Sequence, residues 1–190
     1  MVRRAMNDGR RPAEPFTIAS LRGLRATVMG LGREGVVLAR FLAEHGAKVI
    51  VTDQQDAAML AGRLAALNGL DLRYALGGHP EWALDADVIF VSPGIARTAP
   101  FLIAAGQRGV RLSSETELFF DLCPAPIIGI TGSSGKTTTT TLVGKMLASA
   151  GFTTWVGGNI GQPLLGEVER IGPADQVVLE LSSFQLEHLW

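Results

Sequence analysis

The sequence predicts an α/β protein in which parallel strands and helices alternate along the chain. Three observations support this prediction. Short apolar, β-branched segments of strand length alternate with segments whose apolar residues have helical spacing. Glycine accounts for 23 of the 190 residues and recurs in the predicted turns after strands. Hydrophobic residues make up 47% of the chain and aromatic residues only 6%, which suits an aliphatic core with tight turns.

Composition and the N-terminal segment exclude several classes of function. The net charge is −1, so there is no global basic field of the kind that attracts nucleic acid. Cys123 is the single cysteine, which excludes an internal disulfide and fits a reducing compartment. The first residues carry several arginines but no apolar run, and this excludes a signal peptide. We expect a cytoplasmic protein without a membrane segment, with a disordered leader over residues 1–23; a polyanion-binding arm is the alternative.

The first half begins with a strand, a glycine turn and a helix. A strand is predicted over residues 25–29, G-L-G-R-E-G follows at 30–35, and a helix is predicted over 36–45. The next strand, 48–52, ends at Asp53, and an acidic residue about 20 positions after the glycines is the dinucleotide-binding fingerprint. Alone, this pattern indicates an NAD-dependent oxidoreductase. It is also compatible with binding of any nucleotide sugar, or with glycines that only permit close packing between strand and helix.

The rest of the first half continues the alternation. The predicted elements are a helix at 57–67, strands at 71–76, 87–91 and 110–112, and helices at 100–108 and 114–122. S-P-G-I at 92–95 follows a strand at its carboxyl end, where ligands of open α/β sheets bind, and Gly94 is its candidate residue. Glu115 and Glu117 are predicted to stabilise a helix start and not to act in catalysis. C-P-A-P at 123–126 marks a linker, so the first domain is predicted over 24–123.

The second half opens with a pattern typical of a phosphate-binding loop. A strand over 127–130 is followed by T-G-S-S-G-K-T-T and a helix over 138–150. Glycines let the backbone approach an anion, Lys136 supplies charge for the β- and γ-phosphates, and the Thr137 hydroxyl is a candidate Mg²⁺ ligand. The spacing departs from the common motif, because Ile130 stands where a glycine is usual. The alternative is a Gly/Ser-rich turn with a solvated lysine. The predicted nucleoside triphosphate site comprises Gly132, Ser133, Ser134, Gly135, Lys136, Thr137 and Thr138.

Two further features follow the loop. G-G-N-I-G at 157–161 lies between predicted strands at 153–156 and 176–181, and Asn159 is a candidate ligand contact. Glu180 lies near the end of the second of these strands, in an otherwise apolar segment. A carboxylate there is costly to bury unless it is paired or binds a metal, so Glu180 is predicted as a second Mg²⁺ ligand beside Thr137. An edge-facing glutamate is the alternative.

These motifs together resemble the Mur ligase family. The segments that carry the resemblance are I-T-G-S-S-G-K-T-T (130–138), G-G-N-I-G (157–161) and L-E-L-S-S-F-Q-L-E (179–187), with G-L-G-R-E-G and S-P-G-I in agreement. The resemblance covers about residues 24–190. It implies a Rossmann-like UDP-sugar-binding domain at 24–123, followed by the first part of a P-loop α/β ATP-binding domain at 124–190.

The resemblance also implies a reaction. It is nearest to the family member that joins D-glutamate to UDP-N-acetylmuramoyl-L-alanine, with ATP and Mg²⁺, through an acyl phosphate. Lys136 would then be catalytic, acting on the transferring phosphoryl group, and Thr137 and Glu180 would hold Mg²⁺. The residues that match UDP-sugar contacts of the family are Gly32, Arg33, Glu34, Asp53, Gly94 and Asn159. The implied partners are small molecules, with no nucleic acid and no membrane, and we expect a monomer.

Some features depart from the family pattern. Ser134 stands where asparagine is usual, and Glu34 stands where threonine or serine is common, although a carboxylate near a diphosphate is repulsive. The chain stops at Trp190, before the downstream lysine and the D-glutamate-binding domain that the resemblance implies. We therefore expect an N-terminal fragment that is incomplete for catalysis. A non-catalytic nucleotide-sugar-binding module and an NAD-binding dehydrogenase domain are the alternatives.

Overall fold

The structure, a computed structural model, describes residues 14–159, 161 and 163–187. The strands are β1 (Arg25–Met29), β2 (Lys48–Asp53), β3 (Leu72–Leu76), β4 (Val88–Val91), β5 (Arg111–Ser113), β6 (Ile127–Ile130), β7 (Thr154–Gly158) and β8 (Gln176–Glu180). The α-helices are α1 (Ile18–Leu21), α2 (Arg33–Glu44), α3 (Ala61–Ala65), α4 (Pro100–Gln107), α5 (Glu115–Leu122), α6 (Lys136–Ser149) and α7 (Ser183–Glu187). Two 3₁₀ helices span Glu81–Leu84 and Leu164–Arg170.

The first five strands form one parallel sheet in the order β3-β2-β1-β4-β5. Met29, at the end of β1, pairs with Thr52 of β2 and with Val91 of β4. The glycine turn after β1, the turn after β2 and the turn after β4 therefore lie at the same edge of the sheet. Strand order reverses between β1 and β4, and this is the place where open α/β sheets bind ligands.

The last three strands form a second parallel sheet in the order β6-β8-β7. Glu180, the last residue of β8, pairs with Ile130 on one side and with Gly158 on the other. This register brings the loop after β6 and the turn after β7 to either side of Glu180. The predicted α/β class with parallel sheets in both halves is confirmed.

The two halves share one hydrophobic core. The cluster under α2 contains Val28, Leu38 and Leu118 from the first half together with Leu165 and Leu179 from the second. The 3₁₀ helix Leu164–Arg170 packs against both α2 and α5, and so supplies much of this contact. A second cluster, built around Met29, Ile89 and Leu102, covers the opposite face of the first sheet. The second half is therefore packed directly on the first.

The expectation of a disordered leader over residues 1–23 is wrong for residues 14–23. Phe16 is 5% exposed, and its backbone N–H donates to Asp121. Thr17 caps α1, and Leu21 is fully buried. A helix of four residues has too little sequence to show periodicity, and Phe16 and Leu21 are ordered by the core they cover. Residues 1–13, with their arginines, lie outside the described residues.

Other differences concern helix limits. Only Ala61–Ala65 of the helix predicted at 57–67 is α-helical, and neither 3₁₀ helix was predicted. Helices α2 and α6 each begin two or more residues earlier than predicted, inside the glycine turns, because first-turn residues show no apolar periodicity.

Within the described part of the chain, no helix combines the length and apolarity that a bilayer span requires.

Candidate functional site

The loop between β6 and α6 has the geometry of an anion cradle. Gly132 has φ 148° and Gly135, the N-cap of α6, has φ 76°, a left-handed conformation that favours glycine. Lys136 Nζ donates to the Gly132 carbonyl oxygen at 2.8 Å, so the ammonium group lies over its own loop. The first N–H groups of a helix have no intrahelical acceptor and point outward. The predicted residues from Gly132 to Thr138 thus lie together on this loop and on the first turn of α6.

Beside this loop, Glu180 is held by two side chains. Thr137 Oγ1 donates to Glu180 Oε2 at 2.8 Å, and Asn159 Nδ2 lies 3.3 Å from Glu180 Oε1. The Asn159 backbone N–H donates to the Glu180 carbonyl oxygen at 2.8 Å. Glu180 is 3% exposed, which agrees with the prediction of a buried carboxylate and not of an edge-facing one. We refer to Thr137, Asn159 and Glu180 as the carboxylate cluster.

The carboxylate cluster fits a magnesium ion that arrives with a nucleotide. Among the described residues, no three His, Cys, Asp or Glu side chains lie close enough together to hold a metal ion by themselves. Mg²⁺ is usually held by one or two protein ligands together with water and phosphate oxygens. Glu180 and the Thr137 hydroxyl supply such a partial set next to the anion cradle.

The glycine turn after β1 is built by close approach. A Cβ on Gly35 would lie 2.1 Å from the Gly30 carbonyl oxygen, so only glycine fits there. The Leu31 N–H donates to Asp53 Oδ2 at 2.6 Å, and the Gln55 N–H donates to Asp53 Oδ1 at 2.8 Å. Asp53 therefore ties the turn after β1 to the turn after β2. Each of its oxygens retains a lone pair for a ligand hydroxyl.

The turn after β4 lies against the same loop. Ser92 Oγ donates to the Gly30 carbonyl oxygen at 3.0 Å, and the Ile95 N–H donates back to the Ser92 carbonyl. Gly94 is exposed, with no heavy atom within 4 Å of the place a Cβ would take. The structure thus brings Gly32, Asp53 and Gly94 to one edge of the first sheet.

Arg33 and Glu34 turn their side chains toward the second half. Arg33 Nη1 donates to the Gly161 carbonyl oxygen at 3.0 Å, and Nη2 donates to the Asn159 carbonyl oxygen at 3.2 Å. Gln185 Nε2 donates to Glu34 Oε1 at 2.9 Å. These bonds bring Asn159 next to the glycine turn after β1. Gln185, within the L-E-L-S-S-F-Q-L-E segment, is buried and was not among the predicted site residues.

Besides Glu180, the site region contains a second buried acid, which lies near Glu34. Glu115, in the first turn of α5, is 9% exposed; burial raises the pKa of Glu115 to about 8, and the negative charge of Glu34 acts in the same direction. Burial also raises the pKa of Glu34, against the opposing effects of Arg33 and Gln185. The N-cap of α5 is the Ser114 hydroxyl, which accepts from the Glu117 N–H. No local signal distinguishes this buried acid from an exposed first-turn glutamate.

Comparison with protein-family models gives a match to each half. Residues 24–114 match the model described as the Mur ligase MurD-like N-terminal domain, and residues 130–189 match the Mur ligase middle domain. The two matched segments follow each other in chain order. The first contains the G-x-G-x-x-G turn, and the second begins at the last residue of β6, directly before the loop to α6.

Curated relatives match across both segments. The UDP-N-acetylmuramoylalanine--D-glutamate ligase of Geobacter metallireducens is 49% identical over 166 residues, which is 87% of this chain and 37% of that relative. The protein of the same name from Geotalea uraniireducens is 51% identical over 162 residues, 84% of this chain and 36% of that relative. The chain thus spans somewhat more than a third of the length of these relatives.

Solved structures support the fold. A murein peptide ligase from Psychrobacter arcticus gives a TM-score of 0.50 at 19% identity, covering 85% of this chain and 39% of that chain. The UDP-N-acetylmuramate:L-alanyl-gamma-D-glutamyl-meso-diaminopimelate ligase from Neisseria meningitides gives 0.52 at 23% identity, covering 83% and 52%. At this level of identity the likeness concerns the fold alone.

Proposed function

Because the chain belongs to the Mur ligase family, we propose that it provides the nucleotide-binding part of a ligase that joins D-glutamate to UDP-N-acetylmuramoyl-L-alanine. Relatives of that name at about half identity support the choice of substrates. The family match over residues 24–114 speaks against the NAD-dependent alternative for the glycine turn after β1. The D-glutamate site is not assigned to any residue of this chain.

The observation that carries the proposal is the contact between Thr137 and Glu180 beside the anion cradle. In the proposed reaction the alanyl carboxylate attacks the γ-phosphorus of ATP and ADP leaves. The amine of D-glutamate then attacks the acyl carbon, phosphate leaves as the C–N bond forms, and the proton lost from the amine passes to solvent. Bound Mg²⁺ would neutralise charge on the phosphate oxygens. The loop N–H groups would orient the phosphates, and Lys136 would leave the Gly132 carbonyl to stabilise the transferring phosphoryl group.

The UDP-sugar is proposed to bind at the edge of the first sheet, against Gly32, Arg33, Glu34, Asp53, Gly94 and Asn159. Arg33 and Glu34 would offer backbone N–H groups at the start of α2, since their side chains contact the second half. Asp53 would accept from a ribose hydroxyl. The raised pKa of Glu34 disfavours its anion and so reduces repulsion of a diphosphate.

The cofactors of the proposal are ATP and Mg²⁺, and its partners are small molecules. A cytoplasmic location and a monomeric state belong to the same proposal. The single cysteine, Cys123, supports a reducing compartment. Neither nucleic acid nor membrane is invoked, in agreement with a net charge of −1.

Titration calorimetry on the 190-residue chain tests the proposal. We expect UDP and the Mg²⁺ complex of a non-hydrolysable ATP analogue to bind, and NAD not to bind. Lys136→Ala should weaken binding of the ATP analogue about 10- to 100-fold, the scale for one charge-assisted hydrogen bond, and leave UDP binding unchanged.

A matched control is available on the same helix. Lys145 is exposed on α6, outside the predicted triphosphate site, so Lys145→Ala should leave both affinities unchanged. Equal loss in the two variants, or tight NAD binding without UDP binding, would contradict the proposed function.

A further inference from the structure

Two consecutive residues of the first half contact two separate segments of the second half. Arg33 donates to carbonyl oxygens of Asn159 and Gly161, in the turn after β7. Glu34 accepts from Gln185, in α7, which follows β8. Both residues lie in the first turn of α2, directly after the glycine turn. We call this set of contacts the α2 clasp.

The segments that the α2 clasp holds are the ones that position Glu180. Asn159 bonds Glu180 through its backbone N–H and its side-chain amide. Gln185 and Ser182 are locked together, because the Ser182 N–H donates to Gln185 Oε1 at 2.9 Å and the Gln185 N–H donates to Ser182 Oγ at 3.2 Å. Ser182 lies two residues after Glu180. The clasp therefore reaches the carboxylate cluster from both sides.

The hydrogen bond between Gln185 and Glu34 is the buried part of the α2 clasp, and a second hydrogen bond fixes its geometry. Gln185 is 2% exposed, and its Oε1 is already used by Ser182, which directs Nε2 toward Glu34. Loss of the Glu34 acceptor would leave a buried donor unsatisfied, which is costlier than loss of an exposed bond. The other arm uses the planar fork of Arg33, whose two nitrogens reach two carbonyls of one turn, an arrangement that lysine cannot reproduce.

We propose that Arg33 and Glu34 are positioning residues that couple occupancy of the glycine turn after β1 to the carboxylate cluster. This inference rests on the proposed function. An anion bound by the N–H groups at the start of α2 orders the backbone that carries both side chains. The ordered clasp then holds Asn159 and Gln185, so a ligand at Glu180 and Thr137 has less ordering entropy to overcome. The coupling is reciprocal between the two ligands.

The test measures a coupling factor, the dissociation constant of the Mg²⁺ complex of a non-hydrolysable ATP analogue without UDP divided by its value with saturating UDP. For the whole chain we expect a factor of about 5 or more, the lower end of typical coupling between sites. The double variant Arg33→Met, Glu34→Ala should reduce the factor to about 1, whatever its effect on either affinity alone. Glu34→Gln keeps an acceptor for Gln185 and should retain the factor.

Arg40→Met is the matched control, because Arg40 lies on the same helix but bonds Glu44 and Ala66 within the first half. It should keep the parent coupling factor. A parent factor near 1 with both ligands bound, or an unchanged factor in the double variant, overturns this inference and leaves the proposed function standing.

Hydrogen exchange on the ligand-free chain adds a readout that needs no ligand. The double variant should accelerate exchange at the Asn159 amide, which bonds the Glu180 carbonyl, while the Val28 amide in β1 keeps its protection. Unchanged exchange at Asn159 overturns the positioning role. If the parent chain binds neither UDP nor the ATP analogue, the proposed function fails, and the coupling fails with it.

Discussion

The turn after β1 and the loop after β6 use the same backbone device with different neighbouring charges. Each follows a parallel strand, contains a glycine with positive φ and opens a helix. The first has Asp53 bonded to its backbone, and both Arg33 and Glu34 in the first turn of its helix. The second carries Lys136 and has no acid in the first turn of its helix. Both loops place the first N–H groups of a helix after the carboxyl end of a strand, and they differ in the charged side chains around them.

The buried acids near the two loops also differ in their surroundings. Glu180 accepts hydrogen bonds from Thr137 and Asn159. Glu115, near the first loop, is buried and has another acid, Glu34, as its charged neighbour. Burial and the neighbouring acid both raise the pKa of Glu115, against the opposing effect of a hydrogen bond with Thr116.

The largest expected effect tests this contrast through pH. The folded protein holds the Glu115 proton up to a pH of about 8, whereas the unfolded chain releases it near 4.5. Between these values the folded state binds more protons, so the free energy of unfolding falls as pH rises. At about 1.4 kcal/mol for each pH unit, the loss attributable to Glu115 is at most about 5 kcal/mol. Glu115→Gln, which stays neutral, should remove this slope.

Denaturant unfolding at several pH values between 5 and 8 provides the measurement. Glu44→Gln removes a carboxylate from an exposed position on α2 and serves as the control, for which the parent slope should persist. The same slope in Glu115→Gln as in the parent would show that Glu115 is ionised in the folded protein and that its surroundings do not favour the protonated form.

The next effect concerns the first loop. Gly35→Ala would place a Cβ 2.1 Å from the Gly30 carbonyl oxygen, and backbone must move to relieve the clash. Overpacking of this kind destabilises by about 3 kcal/mol, at the upper end of the usual range. Gly32→Ala is the matched control, since no heavy atom lies within 4 Å of its added Cβ and its φ of −71° suits alanine. Thermal unfolding of the two variants measures the difference, and equal midpoints would refute the close-approach explanation.

The smallest effect concerns the second loop. A Cβ on Gly135 meets no atom within 4 Å, so its cost comes only from φ 76°. Gly135→Ala should destabilise by about 1–2 kcal/mol, the strain of alanine in the left-handed region. If thermal unfolding showed Gly135→Ala to be more disruptive than Gly35→Ala, the two loops would not differ in the way described. On α3, a Cβ added at Gly62 meets no atom within 4 Å. Gly62→Ala therefore measures how much the higher helix propensity of alanine stabilises the protein by itself.

Much of the fold follows from local signals in the sequence. The strands at Arg25–Met29 and Ile127–Ile130 were predicted with their limits, because apolar runs bounded by glycine act within a few residues. The same holds for the placement of Asp53 and Glu180 at strand ends and of Lys136 at the helix start after β6, since parallel strands present their carboxyl ends at one edge. The sequence alone thus determined the α/β class and which loops lie at the carboxyl ends of the strands.

Only the tertiary structure decided what several side chains contact. Glu34 and Gln185 are 151 positions apart, and their hydrogen bond exists because the second half packs on α2. The burial of Glu115 and the docking of Phe16 likewise depend on the surface that covers them. Propensity, capping and periodicity extend over one or two helical turns, whereas burial is set by segments distant in the chain. Local rules therefore predicted the loops, and packing between the two halves determined how their side chains are connected.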